Sequence, residues 1–191
     1  MTDLVALKSA NAKRWATAVV APGLIHLVDG VAKRLVAAKW RYVAVALKTT
    51  VPWPVIAVIH ERESSQSWLA SLAQGDPWNQ VSKHVPRGRG PFQSWEAAAE
   101  DALVVCPPHA AHWSDWTIGG ALSLLEQYNG LGYANRGIPS PYIWASTNQY
   151  SHGKYVRDGH FDPNAVDRQV GCAALLVRMT LIDPLITKEW S

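Results

Sequence analysis

The stretch PVIAVIHERESS, residues 54–65, constrains the fold of this chain most strongly. It begins with a proline, which fits the first turn of a helix because its missing N–H group would have no helical partner there. From Val55 to Ile59 it is apolar on every side, and such a helix is normally buried in the centre of a fold. It then ends in two carboxylates, Glu61 and Glu63. The stretch therefore predicts a central buried helix with an acidic group at its C-terminal end.

Helical geometry separates the two glutamates. Glu63 lies four positions after Ile59 and seven after Ile56, so it continues their stripe, whereas Glu61 is offset by about 200°. We expect Glu63 to be partly buried, so that both burial and the helix dipole favour its protonated form, which glycosidic cleavage requires. Glu61 is predicted to be a solvated charge. The alternative is that both are ordinary exposed residues at a helix end.

Periodicity and capping residues predict a mainly helical fold around this segment. The predicted helices are residues 3–20, 24–48 with a break near Gly30 or Ala38, the central helix, a short helix capped by Ser94, a helix capped by Thr117, and a long last helix from Asp162-Pro163 to about Ile182. Residues 66–93 are rich in Gly, Pro and Asn and are expected to hold short strands and long loops. The fold class is thus mainly α with a small irregular or β-containing insertion.

Composition limits the classes of function. The chain of 191 residues is 48% hydrophobic and 17% charged, which is typical of a globular protein. Its net charge of +3 is too small to indicate a nucleic-acid partner, although it is compatible with an anionic polymer such as a bacterial wall. Ten Trp and six Tyr fit either core packing or a cleft in which aromatic rings stack on sugars. No run of about 18 apolar residues exists, so no membrane span is expected.

Two stretches carry a resemblance to known enzymes. PVIAVIHERESS resembles the catalytic helix of goose-type lysozymes and soluble lytic transglycosylases, and the resemblance implies that Glu63 is the general acid and Ser64 the serine that follows it. ALSLLEQYNGLGY, residues 121–133, resembles the transglycosylase YN-G motif, which implies that Tyr128 and Asn129 line the cleft near the acid. The order of motifs over residues 45–178 is similar to a group of bacterial and phage lysozyme-like proteins.

The resemblance implies cleavage of peptidoglycan at the MurNAc–GlcNAc bond without a metal or cofactor. The GLMQ stretch that follows the catalytic helix of transglycosylases is absent, so hydrolysis and transglycosylation both stay open. Hydrolysis with inversion needs a second carboxylate, for which Asp76 and Glu126 are the two choices. A non-catalytic wall-binding or phage structural protein of the same fold is the alternative. The residues expected to bind substrate are His60, Ser64, Tyr128, Asn129, Tyr133, Tyr142, Trp144 and Tyr150.

The remaining expectations concern location, metals and domains. The N-terminal residues lack a basic stretch followed by an apolar one, so no secretory signal is expected, and release to the cell wall would use a holin or another export route. Cys106, His109 and His112 are close in sequence, but the adjoining prolines and the lack of a fourth ligand argue against a metal site. Residues 1–40 are predicted to be a helical segment packed on a lysozyme-like catalytic domain, 41–191. The competing prediction is a detachable targeting helix.

Overall fold

The computed structural model describes residues 2–190. Met1, the first residue of the predicted segment 1–40, and Ser191, the last residue of the predicted domain 41–191, lie outside the described residues. The protein is mainly helical, with 53% of residues in helices and a small two-stranded sheet, which confirms the predicted mainly α class. The α-helices are α1 (Leu4–Ala16), α2 (Ile25–Ala37), α3 (Lys39–Thr49), α4 (Trp53–Ser64), α5 (Trp95–Val104), α6 (Ile118–Tyr128), α7 (Gly132–Asn135), α8 (Pro141–Trp144) and α9 (Cys172–Ile182). Short 3-10 helices cover Pro22–Leu24, Ala110–His112 and Pro184–Glu189.

The chain divides into two compact units. Leu35–Ser114 form one, which we call the middle unit, and the residues before and after it form the other, which we call the split unit. The predicted division into a helical segment, 1–40, packed on a catalytic domain, 41–191, stays a prediction.

The middle unit is built on α3, α4 and α5. Every residue of α4 from Trp53 to Glu61 is buried, as expected of a helix that is apolar on all sides. Helix α3 packs against both α4 and α5. At the partly buried edge between α3 and α5, Arg41 Nε donates to Glu96 Oε1 at 2.6 Å. Helix α4, whose C-terminal end carries the two glutamates, is thus packed against α3.

The predicted break in the second helical segment lies at Ala38. Its backbone angles, φ −91° and ψ 8°, leave the helical region, and its N–H donates to the carbonyl of Leu35, one residue closer than in an α-helix. Gly30 lies inside α2 without a break. Two of the predicted N-caps are also confirmed, because Ser94 Oγ accepts from the N–H of Ala97 and Thr117 Oγ1 accepts from the N–H of Gly120.

The prediction that residues 66–93 hold the strands is wrong. Within the described residues, that segment has a single isolated bridge, between Ala70 and Pro77, and otherwise consists of turns. Its prolines lack the N–H group that a strand ladder requires, and its glycines favour turns. The strands are instead β1 (Lys154–Arg157) and β2 (His160–Asp162), much further along the chain. They form an antiparallel hairpin closed by Asp158-Gly159, where the glycine has φ +69°.

In the split unit, α1 packs along α6. Lys8 pairs with Asp115 at 2.8 Å, and Asn11 Nδ2 donates to Ser123 Oγ at 3.1 Å. A Cβ on Gly119 would lie 2.6 Å from the carbonyl oxygen of Lys8, so the two backbones approach as closely as a side-chain-free position allows. Lys8 contacts Gly119, and the later residue Asn11 contacts the later residue Ser123, so α1 and α6 run in the same direction.

The predicted start of the last helix is also wrong. Helix α9 begins at Cys172, ten residues after Asp162, which is the last residue of β2 and accepts from the N–H of Asn164 in a turn. The continuous apolar run starts only after Gly171. Position 171 demands glycine, because a Cβ there would lie 2.6 Å from the carbonyl oxygen of Ile143. The chain therefore passes α8 at this glycine before it turns into α9.

Among residues 2–190, no single helix is both long and apolar enough to cross a bilayer. Helices α3 and α4 reach that length only when taken together, and they meet at a bend of 113°.

Candidate functional site

The chain leaves α4 through a turn of unusual backbone geometry. Ser65 and Gln66 both lie in the left-handed region, with φ 51° and 62°. Their N–H groups donate to the carbonyls of Glu61 and His60, at 2.9 and 3.2 Å. Two successive residues other than glycine in this region store strain, and strain of this kind concentrates at functional sites. The turn therefore marks the carboxylate end of α4 as a candidate site.

Glu61 is more deeply buried than Glu63, although the sequence predicted that Glu61 would be exposed to solvent. The prediction that Glu61 is a solvated charge is wrong, since the residue is 7% exposed and accepts a hydrogen bond from Gln66 Nε2 at 2.7 Å. Helix α4 is enclosed all round as far as this position, so depth along the helix decides burial, and orientation around its axis does not. Glu63 lies one half-turn further out and is half-buried, which fits its predicted partial burial.

His60 lies in the core, with both ring nitrogens bonded. Its Nε2 lies 3.0 Å from the carbonyl oxygen of Ser67, so Nε2 carries the proton, and Nδ1 accepts from the hydroxyl of Tyr42 at 2.9 Å. Burial lowers the pKa of His60 to about 4, despite the opposing hydrogen bond to Ser67, so the ring is neutral near pH 7. This placement argues against direct contact with a substrate. It assigns His60 to holding the turn after α4.

An aromatic cluster encloses this histidine. The rings of Trp68 and Trp95 have centroids 4.4 and 4.7 Å from that of His60. The guanidinium of Arg41 lies 3.9 Å from the centre of the Trp68 ring. Several of the tryptophans that suggested a sugar-binding cleft thus serve the core of the middle unit. Ser64, predicted to bind substrate, is half-buried and donates its hydroxyl to the carbonyl of His60 at 3.1 Å.

Asp76 closes the loop that follows α4. Its Oδ2 accepts from the N–H groups of Lys83 and His84 at 2.8 and 2.9 Å, and its Oδ1 lies 2.7 Å from His84 Nδ1. The backbone and side chain of His84, together with the N–H of Lys83, lower the pKa of Asp76 to about 2. The ionised carboxylate can only accept a hydrogen bond, so His84 Nδ1 carries a proton and donates it to Asp76 Oδ1 in that bond. In the neutral imidazole this leaves Nε2 as a free acceptor on a side chain that is 76% exposed.

The same loop folds against the end of α4. The carbonyl of Asp76 accepts from the N–H of Ser71 at 2.8 Å, and a Cβ on Gly75 would lie 3.4 Å from the carbonyl oxygen of Glu63. The chain from Ser71 to Asp76 is thus next to the last turn of the helix. The backbone of Glu63 is therefore next to Gly75, the residue before Asp76.

Glu126 lies in the split unit. It is 2% exposed, lines a cavity of about 410 Å³, and its Oε1 has no hydrogen-bond partner among the described residues. Burial raises the pKa of Glu126 to about 8, and Arg14 opposes this effect. Near neutral pH the group is therefore protonated. A protonated carboxyl cannot accept a proton from water, which argues against Glu126 as the base.

Three of the aromatic residues predicted to line the cleft belong to the core of the split unit. Tyr133, Tyr142 and Trp144 are all buried. The hydroxyl of Tyr133 accepts from the N–H of Tyr155 at 2.9 Å and so supports β1. Their rings are used for packing in the core, and this use competes with ligand binding.

The other predicted substrate-binding residues are more accessible. Tyr128 is half-buried at the end of α6. Asn129 is exposed, and its Nδ2 donates to the hydroxyl oxygen of Ser140 at 3.5 Å. Tyr150 lines a second cavity of about 360 Å³ together with His152. Contact of Tyr128, Asn129 and Tyr150 with a glycan stays a prediction.

Three side chains with a role in these sites carried no sequence signal. His84 reaches Asp76 only because the loop between them closes, and Gln66 reaches Glu61 only because the backbone adopts a conformation rare outside glycine. Arg14 approaches Glu126 from another helix, 112 positions earlier in the chain. Contacts of this kind have no periodicity that a sequence could display.

Among the described residues, no group of three or more His, Cys, Asp or Glu side chains is placed to hold a metal ion. Cys106 and Cys172 are buried free thiols.

Comparison with protein-family models, with curated proteins and with solved structures found no match in any of the three searches. The resemblance to goose-type lysozymes and lytic transglycosylases therefore stays a prediction from the sequence motifs.

Proposed function

We propose that this protein cleaves the glycan strands of peptidoglycan at the MurNAc–GlcNAc bond, with Glu63 as the general acid. The observation that carries this proposal is the end of α4, where a helix buried on all sides delivers a half-buried carboxyl group beside a strained turn. A lysozyme-like fold with α4 as its catalytic helix is part of the proposal. The mainly helical architecture with one small sheet is compatible with it.

In this mechanism Glu63 protonates the oxygen of the leaving sugar as the glycosidic bond breaks. The mechanism requires that this carboxyl group carry its proton before reaction. Glu61, deeper in the helix, holds Gln66 and keeps the strained turn in place, so that the two carboxylates have separate tasks.

Two routes lead to product. In hydrolysis, the Asp76–His84 pair orients and deprotonates a water molecule, with His84 Nε2 as the acceptor and Asp76 fixing the ring. The arrangement replaces the simple carboxylate base expected from the sequence, because a carboxylate with a pKa of about 2 is a weak base. In transglycosylation, Glu63 acts alone and, as a carboxylate, takes the proton of the sugar 6-hydroxyl.

Products from purified sacculi test the proposal. The protein is incubated with sacculi, and soluble muropeptides are identified by mass spectrometry. Reducing ends support hydrolysis, and anhydromuropeptides support transglycosylation. Sacculi that bind the protein but release no soluble fragment would refute the enzymatic proposal and favour a wall-binding or phage structural protein.

The base is tested by changing the loop. His84→Gln is expected to lower hydrolysis by about 100-fold, the usual scale for a general base, and to leave transglycosylation unchanged. His109→Gln, which removes another exposed histidine of the middle unit, is the matched control. Equal rates for both variants would exclude His84 from catalysis.

A further inference from the structure

The cavity beside Glu126 has the properties of a ligand site, and glycan cleavage has no evident use for it. Its volume of about 410 Å³ lies in the range of small-molecule pockets, roughly 300–1,000 Å³. One wall is a face of α1, and the other is formed by Glu126 of α6, the segment from Ala134 to Ser140, and Trp144. All of these residues belong to the split unit.

The parallel packing of α1 and α6 brings two charged groups to the same level. Asn11 donates to Ser123, and this buried contact sets the register of the two helices. Arg14 lies one turn after Asn11 in α1, and Glu126 lies one turn after Ser123 in α6. The two residues are therefore at the same height along this pair of helices. Both line the cavity, and the guanidinium is close enough to oppose the burial effect on the carboxyl group.

Within the described residues, no hydrogen bond or ion pair accounts for the position of either side chain. Oε1 of Glu126 is buried and unpaired, and no ion pair of Arg14 is found within residues 2–190. Asp3, the other charged residue of the lining, uses its carboxylate to cap α1 by accepting from Val5 and Ala6. A buried polar atom without a hydrogen bond is rare in folded proteins and normally has a partner such as water or a ligand.

The lining of this cavity matches a small molecule that carries one positive and one negative charge. An acidic group and a basic group that face the same cavity match a cation and an anion held a short distance apart, and the apolar side chains of Leu7, Ile138 and Trp144 fit a short hydrocarbon portion. We propose that the cavity binds a free amino acid, with its ammonium group on Glu126 and its carboxylate on Arg14. Bidentate pairing of guanidinium with carboxylate supplies the orientation.

Binding is then coupled to release of a proton. Without ligand, burial keeps Glu126 protonated near pH 7, since its pKa is raised to about 8. An ammonium group favours the carboxylate, so the carboxyl proton passes to solvent as the ion pair forms. The release is expected to approach about 0.9 proton per ligand at pH 7 and about 0.1 at pH 9, where the carboxyl is already ionised.

Calorimetry on the full chain tests this inference. Glycine, L-alanine, L-lysine and L-glutamate are titrated in two buffers of different ionisation enthalpy, with methylamine and acetate as half-ligands. At least one amino acid is expected to bind at least about tenfold more tightly than either half-ligand, since one charge-assisted hydrogen bond contributes on that scale. The buffer dependence of the heat measures the proton release.

Variants of the two charged residues, with one control variant, test whether both groups bind the ligand. Glu126→Gln and Arg14→Gln should each weaken binding at least about tenfold, and Glu126→Gln should also abolish the proton release. Lys13→Gln, which removes the exposed cation next to Arg14, should leave both unchanged. No binding of any amino acid by the wild-type chain at tens of millimolar would overturn the inference and leave the cavity to water. Free amino acids report on the cavity whether or not the protein cleaves glycans, so failure of one proposal does not imply failure of the other.

Discussion

Replacing Glu126 with Gln should change how the stability of this protein depends on pH. Burial raises the pKa of Glu126 from 4.5 to about 8 in the folded protein. Between these values the unfolded chain ionises the carboxyl while the folded protein keeps its proton. The folded state therefore loses relative stability as pH rises through this interval. Below about 4.5 both states are protonated, so the contribution of Glu126 to stability is most favourable there.

The size of the effect follows from proton linkage. Each pH unit in the interval lowers the free energy of unfolding by about 1.4 kcal/mol relative to a chain without the titrating group. Over about 3.5 pH units the loss approaches about 5 kcal/mol, which is large against a typical total of about 5–15 kcal/mol. Glutamine has nearly the same shape and no titration. The variant should therefore gain stability relative to wild type steadily from pH 5 to pH 8 and no further above it.

Urea denaturation followed by tryptophan fluorescence measures this difference. Wild type and Glu126→Gln are unfolded at each pH from 5 to 9, and only the difference between them is interpreted, because all other titrating groups cancel in it. A difference between wild type and Glu126→Gln that stays constant with pH would refute the buried, protonated state of Glu126.

Three further predictions address packing. Tyr42→Phe should lower the free energy of unfolding by about 1–3 kcal/mol in urea denaturation, because it leaves Nδ1 of the buried His60 without its donor, and a loss below about 0.5 kcal/mol would contradict the bond. Gly171→Ala should destabilise by about 1–3 kcal/mol in the same assay, since its Cβ would meet a backbone oxygen at 2.6 Å. The control Gly30→Ala, where no atom lies within 4 Å, should be neutral or stabilising by up to about 1 kcal/mol. Deleting residues 1–40 should abolish soluble, folded protein, as judged by circular dichroism and yield; a stable core that no longer binds envelopes would instead support a detachable targeting helix.

Local signals in the sequence predict much of the helical framework. Ser94 and Thr117 cap helices because the capping oxygen and the N–H group it bonds are three residues apart, well within the reach of a sequence pattern. The apolar run before Glu61 likewise predicts the burial of α4, since the run leaves no polar face for solvent. These features depend on neighbours along the chain.

The features that the sequence does not predict depend on distant parts of the chain. The burial of Glu61 follows from how far the surrounding helices and loop cover α4, which no helical wheel records. The late start of α9 follows from the close passage of Gly171 against Ile143. The carboxyl of Glu126 gains its character from a neighbouring helix, α1, because desolvation is a property of the packed structure.

The most direct test of the central claim is the rate at which Glu63→Gln releases soluble muropeptides from sacculi. The amide keeps the shape of the side chain but cannot donate the proton, so the rate should fall at least about 100-fold while the thermal unfolding transition stays unchanged. Glu61→Gln should reduce the rate by less than about tenfold, because its amide oxygen can still accept from Gln66, and the loss of one hydrogen bond of normal strength is worth about that factor. A Glu63→Gln protein that releases muropeptides at the wild-type rate, with Glu61→Gln inactive, would contradict the assignment of the general acid to Glu63.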